Sequence, residues 1–273
     1  MAGAFPDSVR VDAPVEFLER AVFVPGANAL VLSDLHVGKA AASRIEAPID
    51  DGGDVIDRLE RLLGRVDAEM VVVAGDLLHS FSTVPRGADW TVTRLERVVA
   101  ETGGELVVTP GNHDGMLEAV YDGRAPDAYV LADGETLVCH GHEQPVLERV
   151  DAESENHENH ENHENHENRK NRENREASNL ERVVVGHDHP ALSVGGRKLP
   201  CFLYGPAAWE GLDVLMLPAF TRSASGVTIN RARGTDLQSP VIRSLEPFHP
   251  VIRDEGADET RWFPPLEACR HLL

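Results

Sequence analysis

The chain is poor in lysine and cysteine, and it contains no long apolar run. Its lysines are Lys39, Lys170 and Lys198, so arginine supplies nearly all of the positive charge. The 46 acidic against 26 basic residues give a formal net charge of -20. Such a surface binds water and cations well and stays soluble when salt screens its self-repulsion. The composition is therefore typical of proteins from salt-loving organisms.

The acidity does not exclude a nucleic-acid substrate. At molar salt the Debye length is about 3 Å, so the repulsion between this surface and a polyanion is largely screened. Hydrophobic residues make up 41% of the 273 residues, which is enough to build a core. This length suits one large α/β domain, and we predict a single domain over residues 1–273.

The shortage of cysteine and of apolar runs bears on where the protein works. The three cysteines Cys139, Cys201 and Cys269 are odd in number and show no CxxC spacing, which argues against a disulfide framework and against a thiolate zinc site. No apolar run approaches the roughly 18 residues of a membrane helix, and the first ten residues lack a signal-peptide pattern. We therefore expect a cytoplasmic protein without a membrane partner.

Short apolar runs alternate with amphipathic segments in the first half of the chain. The runs predicted to be buried strands are Ala29–Leu32, Met70–Ala74 and Leu106–Val108. Asp54–Leu63 and Trp90–Ala100 have the apolar spacing of helices, so parallel βαβ units are expected. Later short strands are predicted at Tyr129–Leu131, Thr136–Cys139, Arg182–Val185 and Leu212–Leu217. This order predicts a mixed α/β fold, a two-sheet β-sandwich flanked by helices.

Residues 153–178 differ from the rest of the chain. They repeat Glu, Asn and His, and no apolar residue lies between Glu153 and Glu176. We predict a disordered low-complexity insertion within the domain, with a solvated, frayed helix as the alternative. Its four histidines are spaced by three residues, a spacing that drifts about 60° per step around a helix. They therefore form no single tetrahedral metal site.

Polar residues follow the predicted strands where each strand ends. The first three strands are followed by Asp34-Leu35-His36, Gly75-Asp76 and Gly111-Asn112-His113-Asp114. Taken singly, these motifs also fit helix caps or ordinary turns. Two later strands end in Cys139-His140-Gly141-His142 and Gly186-His187-Asp188-His189. Paired histidines at two strand ends have no simple structural purpose, and loops at such ends converge over a crevice.

In this order the five motifs resemble the calcineurin-like metallophosphoesterase family, whose pattern is Asp-x-His, Gly-Asp, Gly-Asn-His-Asp/Glu, a strand-end His and Gly-His-x-His. The resemblance spans Asp34 to His189. It implies a hydrolase of phosphodiesters or phosphomonoesters that acts through two divalent metal ions. Oxygen and imidazole ligands suit Mn²⁺, our first expectation, and they also suit Fe or Zn²⁺.

The resemblance also implies roles for individual residues. One ion would be held by Asp34, His36, Asp76 and His189. The other would be held by Asp76, Asn112, His140 and His187, so Asp76 would bridge the pair. His113 would protonate the leaving oxygen or stabilise its charge, and Asp114 would orient the imidazole of His113. His142 would contact the substrate or support a ligand.

A closer resemblance, to the DNA-ligase-associated phosphoesterases and their archaeal relatives, rests on Ser33–Lys39 followed by Arg44, and on Leu217–Phe220 near Gly226. The match is incomplete, because Ser43 stands where an aromatic residue is expected before the arginine. The resemblance implies a nucleic-acid or nucleotide substrate. Arg44 and Lys39 are then candidate substrate contacts, and both also fit ordinary solvated side chains.

The alternative is a protein that keeps this fold and its ions but only binds a partner. Such a scaffold would use the metals as structural staples. It would need no proton donor, so the presence of His113 favours the enzyme.

Overall fold

A computed structural model of the chain describes residues 13–39, 52–147 and 179–272. The predicted insertion at 153–178 and the predicted substrate contact Arg44 lie outside these ranges. Within them, no helix is both long enough and apolar enough to cross a membrane. The three cysteines are buried and free.

The first sheet is built from strands that lie between Glu16 and Val108. Its strands are β1 Glu16–Leu18, β2 Ala21–Val24, β3 Ala29–Leu32, β4 Met70–Val73 and β5 Glu105–Val108, in that spatial order. Strands β3, β4 and β5 run parallel, and β1 and β2 add an antiparallel edge. Helix α1 (Gly53–Leu63) connects β3 to β4, and helix α2 (Ala88–Glu101) connects β4 to β5. The predicted parallel βαβ units are thus present, and β1 and β2 are additional.

The second sheet has seven strands. They are β6 Ala128–Val130, β7 Thr136–Cys139, β8 Arg182–Val185, β11 Phe202–Trp209, β12 Leu212–Met216, β14 His249–Asp254 and β15 Glu259–Trp262. Their spatial order is β15-β14-β11-β12-β8-β7-β6, and β7, β8 and β12 run parallel at its centre. A small third sheet is formed by β9 Pro190–Val194, β10 Arg197–Pro200 and β13 Val227–Thr228. The short helix α3 covers Leu266–Cys269.

The two large sheets stack face to face, and this packing explains the continuous apolar strands. Along β3, Ala29 and Val31 join the core between the sheets, whereas Leu30 and Leu32 join the core beneath α1 and α2. Val184 of β8 faces the first sheet from the opposite side. A strand that is buried on both faces needs apolar residues at every position. The predicted two-sheet sandwich with flanking helices is confirmed.

Arg58 is a buried cation that ties α1 to the wall of the crevice. Only 1% of its surface is exposed, and its Nε lies 3.1 Å from Oε2 of Glu19. Its Nη1 donates a hydrogen bond to the carbonyl of Phe220, and its guanidinium lies 5.0 Å from the centre of the Phe220 ring. The amide of Phe220 donates to the carbonyl of Ser33 at 2.8 Å. Arg58 therefore supports the segment that leads into Asp34.

We predict that Arg58→Ala lowers the free energy of unfolding by about 3–5 kcal/mol, because it removes the buried partner of Glu19 and leaves this partly buried carboxylate only the exposed Arg61, 3.5 Å away. Urea denaturation at fixed salt measures the change. The control is Arg97→Ala on α2, which removes an exposed i,i+4 pair with Glu101 worth about 0.3–0.5 kcal/mol. Equal losses in the two variants would contradict the prediction.

Candidate metal centre

The five strand-end motifs meet at one end of the sandwich. Strands β3, β4 and β5 end side by side in the first sheet, and β7 and β8 do so in the second. Backbone hydrogen bonds join the loops that follow them. The amide of His36 donates to the carbonyl of Asp76 at 2.9 Å, and the amide of Gly186 donates to the carbonyl of His140 at 3.0 Å. The main chain therefore fixes how the motifs face one another.

One group of candidate ligands contains Asp34, His36 and His189. Nε2 of His189 lies 3.0 Å from Oδ1 of Asp34 and 3.2 Å from Nε2 of His36. One ligand atom from each residue lies within 4.8 Å of the other two, as the ligands of a single ion must. The two imidazole nitrogens and the carboxylate oxygen thus converge on one point.

A second group contains Asp76, Asn112, His140 and His187. Nε2 of His140 lies 3.4 Å from Oδ1 of Asp76, 3.2 Å from Oδ1 of Asn112 and 3.1 Å from Nδ1 of His187. The other oxygen of Asp76, Oδ2, lies 3.9 Å from Nε2 of His36 in the first group. Ligand atoms of Asp34, Asp76 and His140 also lie within 4.8 Å of one another. All seven predicted ligands therefore come together, and their assignment to individual ions stays a prediction.

The electrostatics of the pocket fit a cation. Asp34 and Asp76 are 0% and 1% exposed, and burial together with the charge of Asp34 raises the pKa of Asp76 to about 8. Burial alone would raise the pKa of Asp34, but the hydrogen bond and charge of His189 outweigh it and lower that pKa to about 2. Burial lowers the pKa of His36 to about 3 and that of His140 to about 4, so both rings are neutral at pH 7. Neutral imidazoles beside carboxylates are the form in which these groups bind metals.

Backbone strain is concentrated in this site. Ten non-glycine residues of the described chain have a positive φ, and half of them are candidate ligands. These are Asp34 (56°), His36 (48°), Asp76 (50°), His187 (78°) and His189 (49°). Each such conformation costs about 1–3 kcal/mol and persists only where the surrounding structure enforces it. The strain indicates that the folded chain has to aim these side chains inward.

Two motif glycines leave room for a carboxylate from a different motif. A Cβ at position 186 would lie 2.6 Å from Oδ2 of Asp34, and a Cβ at position 111 would collide with Oδ1 of Asp76. Glycine is therefore required at Gly186 and Gly111 by close approach.

His113 lies at the rim of the pocket. Its amide donates to Oδ1 of Asp76 at 2.9 Å, and its Nε2 lies 3.9 Å from Oδ2 of the same residue. Asp114 does not take the expected position beside this ring, which corrects the role given to it above. Its oxygens accept hydrogen bonds from the amides of Leu78 and Gly111, both at 2.8 Å, while Nδ1 of His113 has no partner among the described residues. Asp114 holds the two loops together instead.

His79 also belongs to the site, and the sequence motifs did not single it out. Its Nδ1 lies 3.4 Å from Nδ1 of His36, and its ring stacks on that of His113 with centroids 5.5 Å apart at 14°. A proton on Nδ1 of His36 that points toward His79 leaves Nε2 free for an ion, the arrangement usual for metal-bound histidines. The one available signal was its place three residues after Asp76.

Two of the predicted substrate contacts, His142 and Lys39, lie around the edge of the pocket. The ring of His142 lies 5.3 Å from that of His140. Lys39 lines a cavity of about 400 Å³ together with His36 and Arg222, and burial lowers the pKa of Lys39. The roles of Lys39 and His142 in binding a substrate stay predictions.

A sandwich of two mixed sheets, with carboxylates and imidazoles gathered at their strand ends, defines the metallophosphoesterase class. The family model described as calcineurin-like phosphoesterase matches residues 27–209. The chain belongs to the calcineurin-like phosphoesterase family, which confirms the resemblance seen in its motifs. It is a metal-dependent hydrolase that acts on phosphoric esters.

Among solved structures, one shares the fold and a second shows a weaker likeness. The nuclease MPE of Pseudomonas putida is 23% identical in sequence, with a TM-score of 0.53 over 89% of this chain and 91% of that chain. Yfce, a phosphoesterase from E. coli, is 11% identical, with a TM-score of 0.39 over 87% of this chain and 98% of that chain. A comparison with curated proteins gives no match.

Without metal, the stability of the protein should depend on Asp76. The pKa of Asp76 is about 8 in the fold against 3.8 for an ordinary carboxyl, so folding favours the protonated form. Its contribution to stability is complete below pH 3.8 and is lost as the pH rises through 8. When a chelator keeps the protein free of metal, we therefore expect Asp76→Asn to become progressively more stable than the wild type as the pH rises from 3.8 to about 8.

Urea midpoints at several pH values and one high salt concentration test this expectation. Asp67→Asn is the control, since Asp67 is exposed and precedes β4, at the opposite end of that strand from the site. Adding Mn²⁺ at pH 8 should reverse the order of stability, because a ligand that binds only the folded state stabilises it. A metal-free Asp76→Asn that is less stable than the wild type at pH 8 would contradict this account.

Proposed function

We propose that the chain is a phosphodiesterase with two metal ions, acting on nucleic acid or nucleotides. The observation that carries the proposal is the position of Asp76 between the two ligand groups. Its Oδ1 lies 3.4 Å from His140, and its Oδ2 lies 3.9 Å from His36. A shared carboxylate that spaces two cations is the arrangement of two-metal hydrolases.

The remaining ligands divide between the two ions. Asp34, His36 and His189 would hold one, and Asn112, His140 and His187 would hold the other. Mn²⁺ is the ion we expect, and these oxygen and nitrogen donors also accommodate Fe or Zn²⁺. When bound, such a pair lowers the pKa of water and neutralises phosphoryl oxygens. The polypeptide contributes the fixed geometry and the exclusion of bulk water.

His113 would act at the leaving oxygen. It stands beside Asp76 but is only partly buried, so a substrate can reach its Nε2. Burial, followed by the charge of His187, lowers its pKa, which makes the neutral ring the resting form. The negative charge of a bound phosphate favours the protonated ring, so His113 can take up a proton from solvent when the substrate binds. It can then release that proton to the leaving oxygen as the bond between this oxygen and phosphorus breaks.

Two cationic side chains next to the site favour the binding of a substrate that has more than one phosphate. Lys39 and Arg222 line the cavity that opens beside His36. A phosphate next to the one being cleaved could contact either side chain. The nuclease MPE has the same fold, and the motif resemblance to ligase-associated phosphoesterases points to the same substrate class.

A chelator and add-back assay with bis-p-nitrophenyl phosphate at high salt tests the proposal. We expect turnover to stop in chelator and to return with Mn²⁺. Asp76→Asn should lower turnover by at least about 100-fold, since even residues that only support a metal ligand contribute 10–100-fold. Asp67→Asn is the control and should retain full activity. Metal-loaded protein without turnover would favour the scaffold alternative.

His113→Asn separates proton transfer from metal binding. We expect kcat to fall by about 10²–10⁴-fold, the usual contribution of general acid catalysis. The metal content per chain, measured by elemental analysis, should equal that of the wild type. His271→Asn at an exposed position is the control. Loss of metal together with activity would assign His113 to the ligand set and contradict its proposed role.

A further inference from the structure

An exposed aromatic ring stands next to the proposed proton donor. Phe81 is 59% exposed, and its ring centroid lies 4.1 Å from that of His113 at an angle of 35°. The other large apolar side chains exposed in the described residues are Val84, Trp90 and Val146. A ring that touches an active-site histidine and faces solvent has a surface available to a substrate.

The loop that carries Phe81 is held in place. Oγ of Ser80 lies 3.0 Å from Oγ1 of Thr83, and the amide of Thr83 donates to Oγ of Ser80 at 3.3 Å. The Phe81 carbonyl packs so closely on Gly115 that a Cβ there would lie 2.5 Å from it. Since Gly115 continues the loop of His113, the loop that carries the ring packs against the loop that carries the histidine. A preorganised ring loses little freedom when a ligand stacks on it.

The position of the Phe81 ring next to His113 relates it to the leaving side of the substrate. Under the proposed function, His113 faces the leaving oxygen, and Phe81 lies directly against the ring of His113, so a group attached to that oxygen can reach Phe81. The ion ligands Asp34 and Asp76 are buried, whereas Phe81 is exposed. The first planar group beyond the scissile bond therefore meets the exposed ring.

We propose that Phe81 is a stacking platform for the nucleobase of the nucleotide that carries the leaving oxygen. This inference rests on the proposed phosphodiesterase function and narrows its substrate to diesters that carry a base on the leaving side. Stacking on an aromatic ring accepts every base, so cleavage should show little sequence preference.

A stacking contact keeps its strength in high salt, whereas ionic contacts do not. Contacts between cations and phosphates weaken steeply as salt rises, because the release of condensed counterions gains less free energy in concentrated salt. Apolar burial is not screened by salt. In high salt, a chain with a net charge of -20 therefore gains more substrate affinity from an exposed aromatic ring than from another arginine.

The proposal is tested with the metal-loaded enzyme on two single-stranded DNA substrates. One is normal DNA, and the other has the same length but abasic residues throughout. Phe81→Ala should lower kcat/KM on the normal strand by about 5- to 150-fold, the range measured for removing one base–aromatic stack. It should leave kcat/KM on the abasic strand unchanged. Phe81→Trp should retain the wild-type preference, and Trp90→Ala, a 62% exposed control, should behave as wild type.

A binding measurement supplies a readout independent of turnover. Fluorescence of 2-aminopurine in the strand should be quenched by wild type and less so by Phe81→Ala. An equal loss of kcat/KM on both strands, or no loss on either, would overturn the proposal. Hydrolysis of bis-p-nitrophenyl phosphate without cleavage of DNA would overturn the stacking proposal and leave the phosphodiesterase activity standing. Failure to hydrolyse any diester would contradict the proposed function itself.

Discussion

The burial of two carboxylates side by side is the constraint on which the rest of the structure depends. Asp34 and Asp76 share a pocket without solvent, where two negative charges repel each other and lose their hydration. In the protein alone, this conflict is relieved by a proton, which is why the pKa of Asp76 rises to about 8. A cation relieves it better, since it replaces the proton and gathers the imidazoles as well. Metal binding and folding are therefore linked.

The fold supplies what is needed to hold this arrangement. Strands β3, β4, β7 and β8 are buried on both faces, so their ends move little and can enforce strained turns. The left-handed backbone at Asp34 and Asp76 is tied down by amide contacts between neighbouring loops and by the close packing on Gly111 and Gly186. Asp114 adds a further tie between the loops after β4 and β5. The strain of the site is thus offset by the packing of the sandwich.

The central strands and the candidate ligands at their ends were predictable from the sequence because both leave a local signal. A strand buried on both faces is a continuous apolar run, and its end is marked by the first polar motif. Most strands that sequence reasoning missed lack this signal: β1 has three residues, β11 contains Gly205 and Pro206, and β14 gains its conformation from pairing with β11 about fifty residues away. The missed strand β2 is a continuous apolar run, but it is followed by Pro25-Gly26 and not by a polar motif. Likewise, the contacts of Asp114 and His79 depend on side-chain directions around turns, which spacing along the chain does not encode.

The acidic surface and the site place opposite demands on a substrate. A net charge of -20 repels a phosphate chain at low salt, and the salt that removes this repulsion also weakens every surface contact between a cation and a phosphate. Interactions inside a pocket escape this conflict, because short-range coordination and the contact of flat apolar surfaces are screened much less. A chain with three lysines can then bind a polyanion chiefly where it also reacts with it. Specificity for one kind of phosphoric ester would in that case come from the few side chains that line the rim, and not from a broad basic surface.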